Sequence, residues 1–61
     1  MDLKARVAAY VVERGAAGAS KRAVREEVFG RNGSKDEALA ALVAEGFLVI
    51  VGTRFRVAPR R

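Results

Sequence analysis

Lys21, Arg22, Arg25, Arg31 and Lys35 crowd one stretch of the chain, and Arg54 and Arg56 alternate near its end with no acid after Glu45. Cations gathered in this way suit one chemistry above others, the binding of phosphate. Nine of the 12 basic residues are arginine, whose planar fork meets two phosphate oxygens at once. Asn32 and Ser34, beside Lys35, add hydrogen-bonding groups small enough to approach a base edge.

Other chemistries find no support. Ser20 and Ser34 are the only serines, and no histidine exists to activate either, which excludes a hydrolase triad. Without cysteine there is neither a disulfide framework nor zinc-finger spacing. The carboxylates are scattered, so no paired acid and base is expected. The segments "GASK" and "GRNGSK" lack the spacing of a phosphate-binding loop, which argues against nucleotide binding. No cofactor and no enzymatic activity are expected.

Sixty-one residues with 51% hydrophobic and 31% charged side chains suit one small globular domain, residues 1–61. The net charge of +5 favours a polyanionic partner; an Ala-, Val- and Arg-rich coding bias is the plainer alternative. The apolar run Phe47 to Val51 is too short to span a membrane, and the first residues lack the apolar stretch of a signal peptide. A cytoplasmic, nucleoid-associated location is expected, with no membrane partner.

The elements that must carry these side chains follow from periodicity. Leu3, Val7, Tyr10 and Val11 form one apolar stripe, predicting a helix over residues 2–14 that Gly15 stops. Ser20 is placed to cap a short helix over 21–29, with Val24 and Val28 inward. "GRNG", residues 30–33, predicts a tight turn. Ser34 and Glu37 have capping-box spacing, predicting a third helix over 34–45 closed by Gly46. Residues 47–58, "FLVIVGTRFRVA", predict a β-hairpin with a type II′ turn at Gly52-Thr53. That register pairs Val51 with Arg54, Ile50 with Phe55, Val49 with Arg56 and Leu48 with Val57. Leu48, Ile50, Phe55 and Val57 should then face the core. Pro59 ends the strand, and residues 59–61 form a basic tail.

This order resembles the winged helix-turn-helix family, most closely over residues 37–58, "EALAALVAEGFLVIVGTRFRVA". Residues 18–48 are also similar to C-terminal winged-helix segments of replication ATPases and primases carried by actinobacterial phages and plasmids. The resemblance implies an α+β fold, a three-helix bundle with a helix-turn-helix followed by a C-terminal hairpin wing. It implies a supporting helix over 21–29, a recognition helix over 34–45 for the major groove, and a wing at Gly52-Thr53 with Arg54 and Arg56. It further implies service in a larger replication or transcription-regulatory protein. One position departs from the pattern. Lys35 stands where many members carry an apolar residue, so a loosely packed start to the third helix is expected.

Double-stranded DNA is the partner expected, held through Lys21, Arg22, Arg25, Arg31, Asn32, Ser34, Lys35, Arg54 and Arg56. On a helical wheel Leu39, Leu42 and Val43 point inward, leaving Glu37, Ala40, Ala41 and Ala44 outward, a poor surface for hydrogen-bonded base readout. Glu37 is expected in the capping box rather than on a cytosine, and Asp36 against the positive end of the helix dipole. Affinity should come from about five phosphate contacts, giving a slope of log K against log salt of about −4 to −5.

A protein-interaction or dimerisation module is the rival expectation. Ala5, Ala8, Ala9 and Val12 make a second apolar strip on the first helix, and Ala5, Ala9 and Val12 could dock a second copy or a parent protein. Val49 and Val51 add apolar area on the outer face of the hairpin.

Overall fold

The computed structural model describes residues 2–59, so Arg60 and Arg61 of the expected basic tail lie outside the described residues. The chain is a small α+β domain of three helices and a three-stranded antiparallel sheet. The helices are α1, Leu3–Arg14, α2, Lys21–Glu27, and α3, Asn32–Ala44. The strands are β1, Ala19–Ser20, β2, Leu48–Val51, and β3, Arg54–Val57, in spatial order β1-β3-β2. Among the described residues no helix is long and apolar enough to cross a membrane.

The stripe on α1 is buried as its spacing dictates. Val7 and Val11 are fully enclosed, with Leu3 and Tyr10 packed at the edge of the core. Asp2 lies outside this helix as its cap, accepting from the Ala5 amide at 2.8 Å. Ser20 caps α2 as expected, accepting from Ala23 N at 3.1 Å. This helix stops at Glu27, two residues short of expectation. Val28 adopts extended backbone, φ −93° and ψ 128°, which turns its side chain into the core and leaves Phe29 86% exposed.

The start of α3 departs most from expectation. Arg31, not Ser34, is the cap residue, and its carbonyl accepts from Lys35 N at 2.9 Å. The predicted capping box therefore does not form: Ser34 lies in the first turn, and Asp36 and Glu37 in the second. The chain reverses earlier, at Val28 to Gly30, where Gly30 lies so close to Leu3 that an added Cβ would come within 3.1 Å of its Cδ1. With the reversal complete by Arg31, Asn32 and Gly33 are free to wind as helix.

The far end of α3 closes as the sequence predicts. Phe47 N donates to Leu42 O and Gly46 N to Val43 O, each at 3.0 Å, the two bonds of a Schellman motif. An ion pair between Lys4 and Glu45 ties this end to α1.

The hairpin has the predicted register in all four pairs. Gly52 has φ +63° while Thr53 does not have positive φ, the combination a type II′ turn needs. Leu48 and Phe55 are buried and Val57 is half-buried, but Ile50, expected in the core, is 59% exposed. Ile50 lines a groove with Leu39, Ala40, Val43 and Ala44 of α3, whose two exposed members are alanines too short to cover it.

Strand β1 was not expected. It pairs Ala19 with Phe55 and Ser20 with Arg54. Gly18 makes this possible, with φ +70° and ψ −168°, a region open almost only to glycine. A Cβ there would also lie 2.6 Å from the Phe55 carbonyl oxygen and 2.7 Å from Arg56 Cγ.

Candidate nucleic-acid interface

The short strand β1 decides where the cations go. Because Ser20 pairs with Arg54, Arg54 stands beside the residue that opens α2, and Lys21 and Arg22 follow at once. All three are exposed. Lys21 also reaches the rim of a groove of about 360 Å³ between α3 and the hairpin, whose walls include Ala40, Ala44, Ile50 and Phe55. Entry to α2, the outward side of α3 and the inner edge of the hairpin thus share one side of the molecule.

Arg22 pairs with Glu26 at 3.1 Å, but its side chain is 87% exposed, so solvent screens the pair and leaves it weak. Among the described residues Arg54 reaches only the Ala17 carbonyl, at 3.5 Å, the long limit of a hydrogen bond. Either guanidinium can exchange its present contact for a phosphate at little cost.

Two expected contacts are spent on holding the fold. Lys35 is 3% exposed, and its Nζ donates to the Arg25 carbonyl at 2.6 Å. Since α2 ends at Glu27, that carbonyl has no helical amide four residues on, and a cation at a helix C-terminus also opposes the dipole favourably. Lys35 is therefore not an exposed contact, nor is the start of α3 loosely packed. Its stem fills the place where the family resemblance implies an apolar residue, and only its tip is polar.

Arg25 is engaged as well. Its Nε and one terminal nitrogen donate to the two Asp36 carboxylate oxygens at 3.2 and 2.5 Å. This fork–fork hydrogen bonding holds the Asp36 carboxyl below its usual range; partial burial opposes the shift, and the positive charges of Arg25 and Lys21 add to it. The same bond raises the Arg25 guanidinium further above its ordinary value. Asp36 thus serves to join α3 to α2, where the sequence had it serving the helix dipole.

The remaining candidates separate. Asn32 and Ser34 are exposed in the first turn of α3, which carries no acid. Arg31 is exposed, but it borders a hollow shared with Glu26, Glu27 and Phe29 rather than the groove at Lys21. Arg56 is half-buried against Gly18 and borders a hollow with Val12, Ala16 and Phe47, towards α1. The structure therefore sets the Arg54 backbone beside Ser20, just before Lys21 and Arg22, while the Arg54 guanidinium reaches back to Ala17 and Arg56 lies towards α1. The outward face of α3 is as the wheel predicts: Glu37, Ala40 and Ala44 are exposed and Ala41 is half-buried. Glu37, released from the capping box, makes no hydrogen bond among the described residues.

Sequence reasoning missed Ile50 as a surface residue and the pairing of Ser20 with Arg54. The first had a signal in the alanines at positions 40 and 44, which cannot cover a neighbour. Comparison with protein-family models, with curated proteins and with solved structures found no match to this chain.

Proposed function

We propose that this chain is a winged-helix-type module that binds double-stranded DNA without catalysing a reaction. Affinity comes mainly from the phosphate backbone, with limited base readout. In this reading α2 and α3 are the helix-turn-helix, α3 approaches the major groove, and the β2–β3 hairpin is the wing. The observation that supports it is the pairing of Ser20 with Arg54, which brings the hairpin backbone alongside the residue that opens α2, next to exposed Lys21 and Arg22. Lys21, Arg22, Arg31 and Arg54 supply the phosphate contacts, and Asn32 and Ser34 the polar contacts at the start of α3. The sequence likeness to replication and regulatory winged helices favours a place in a larger protein of that kind.

The test is a duplex titration with Arg22→Ala/Arg54→Ala. Binding should weaken roughly ten-fold or more at moderate salt, with the salt slope flatter by about two. Unchanged affinity would remove the hairpin from the interface.

A docking function has its own observation. Phe29 is 86% exposed and borders a hollow with Ala9, Tyr10 and Glu13 of α1. Such a face suits a second copy or a parent protein, and it is compatible with DNA on the other side. Ala9→Glu should abolish self-association in sedimentation while duplex affinity stays unchanged.

A further inference from the structure

The groove between α3 and the hairpin is the least explained part of the surface. Its lining is apolar on both walls: Leu39, Ala40, Val43 and Ala44 from α3, Ile50 and Phe55 from the hairpin. Ile50 leaves 59% of its surface in solvent although its pairing with Phe55 places it on the core side of the sheet. The polar groups at the rim are Lys21 and Asp36, and the Asp36 carboxylate is already held by Arg25.

Phosphate does not suit such a lining, because the walls offer no donor. A base edge does. The apolar group that a duplex presents in its major groove is the thymine 5-methyl, and short apolar side chains such as alanine pack against it. Ala40 and Ala44 lie about 6 Å apart along the helix axis, close to two base steps of about 3.4 Å each. The cation at the groove is Lys21, which lies at its rim and not within it, with exposed Arg22 next in the chain. A duplex held there by its phosphates would present base edges to the apolar walls.

Resting on the DNA-binding reading above, we infer that this groove takes thymine methyl groups, with Ala40, Ala44 and Ile50 as the specificity-determining side chains. The chain thereby prefers thymine-bearing duplex by apolar contact, without hydrogen-bonded base readout. Ile50 is the distinctive member, since it lets the hairpin read a base edge from the side opposite the helix.

Replacing thymine by uracil deletes the methyl and keeps every hydrogen-bonding group and every phosphate. The experiment is a polarisation titration of the full chain on a short duplex of alternating adenine and thymine, against the same duplex with uracil for thymine, each at two salt concentrations. Affinity should fall about four-fold for each methyl lost from the groove, and about fifteen-fold if two are lost. In Ile50→Ala and in Ala44→Gln, which opens and fills the groove respectively, the difference between the two duplexes should collapse. Equal affinity of the unaltered chain for both duplexes, with the same steep salt slope, overturns the methyl-reading groove and leaves the phosphate interface standing. Absence of salt-dependent binding to either duplex overturns both. A thymine preference that persists undiminished in Ile50→Ala and Ala44→Gln places the methyl contact elsewhere and overturns the assignment to this groove.

Discussion

Lys35 Nζ donates to the Arg25 carbonyl at 2.6 Å, while the next residue, Asp36, accepts the Arg25 guanidinium on both of its oxygens. Consecutive residues of α3 thus grip the backbone and the side chain of one residue in α2. This double tie fixes the angle between the two helices, and it uses one buried cation and one partly exposed pair to do so. Lys35→Met should keep the stem and remove the donor, leaving the Arg25 carbonyl unpaired. The expected loss is about 1–3 kcal/mol, or a fall in Tm of several degrees in thermal denaturation. Duplex affinity measured well below the transition should change less than about two-fold, since Lys35 touches no ligand in this account. A weakened complex with an unaltered Tm would return Lys35 to the interface.

The pair also makes stability sensitive to acid. The Asp36 carboxyl is held low in the folded state by the Arg25 hydrogen bonds. A group whose folded value is depressed binds its proton more readily when unfolded. Its contribution is therefore complete above the ordinary aspartate value of about 3.9 and drains away as pH falls through the lower folded value. In acid titrations followed by circular dichroism, Asp36→Asn should be less stable at neutral pH and should lose less stability than the parent below about pH 4. Parallel acid curves would show that the pair carries no such linkage.

The boundary of α3 can be tested by two small changes. Gly33 has no neighbour within 4 Å of an added Cβ and lies inside the helix. Gly33→Ala should raise stability by about 0.5–1 kcal/mol. Ser34 makes no capping bond, so Ser34→Ala should be nearly neutral, whereas loss of a true N-cap costs about 1 kcal/mol. A destabilised Ser34→Ala with a neutral Gly33→Ala would restore the capping box that the sequence suggests.

Gly18 is where the third strand depends on one residue. Gly18→Ala combines a forbidden backbone region with a collision against the Phe55 carbonyl, and should cost at least about 1–3 kcal/mol. Amide exchange at β1 and β3 should rise first. Retention of protected amides at Ala19 and Phe55 would contradict the dependence of this strand on Gly18.

What could be read from the sequence was what depends on near neighbours. The stripe of Leu3, Val7 and Val11, the cap at Ser20, the Schellman close at Gly46 and the register around Gly52 each follow from a few adjacent residues. What could not be read depends on residues distant in the chain. Ala19 and Ser20 become a strand only because Phe55 and Arg54 come alongside. Lys35 reads as a surface cation until α2 ends early and leaves a carbonyl within its reach. Capping-box spacing at Ser34 is real, but the packing of Gly30 against Leu3 sets the reversal before it. Ile50 reads as core by alternation and is exposed because α3 carries alanines where a covering side chain would be needed. The candidate interface was legible as an excess of arginine and as an alanine face on the third helix. Its membership was not, since Arg25 and Lys35 serve the fold and Arg56 turns towards α1.

The most direct test of the central claim is the salt dependence of duplex binding by the unaltered chain. Removing Arg25, Lys35 and Arg56 from the expected contacts leaves about three to four phosphates neutralised by Lys21, Arg22, Arg31 and Arg54, so log K against log salt should fall with a slope of about −3 to −4. A slope near zero, or no measurable binding at low salt, would contradict the assignment of these cations to a nucleic-acid backbone.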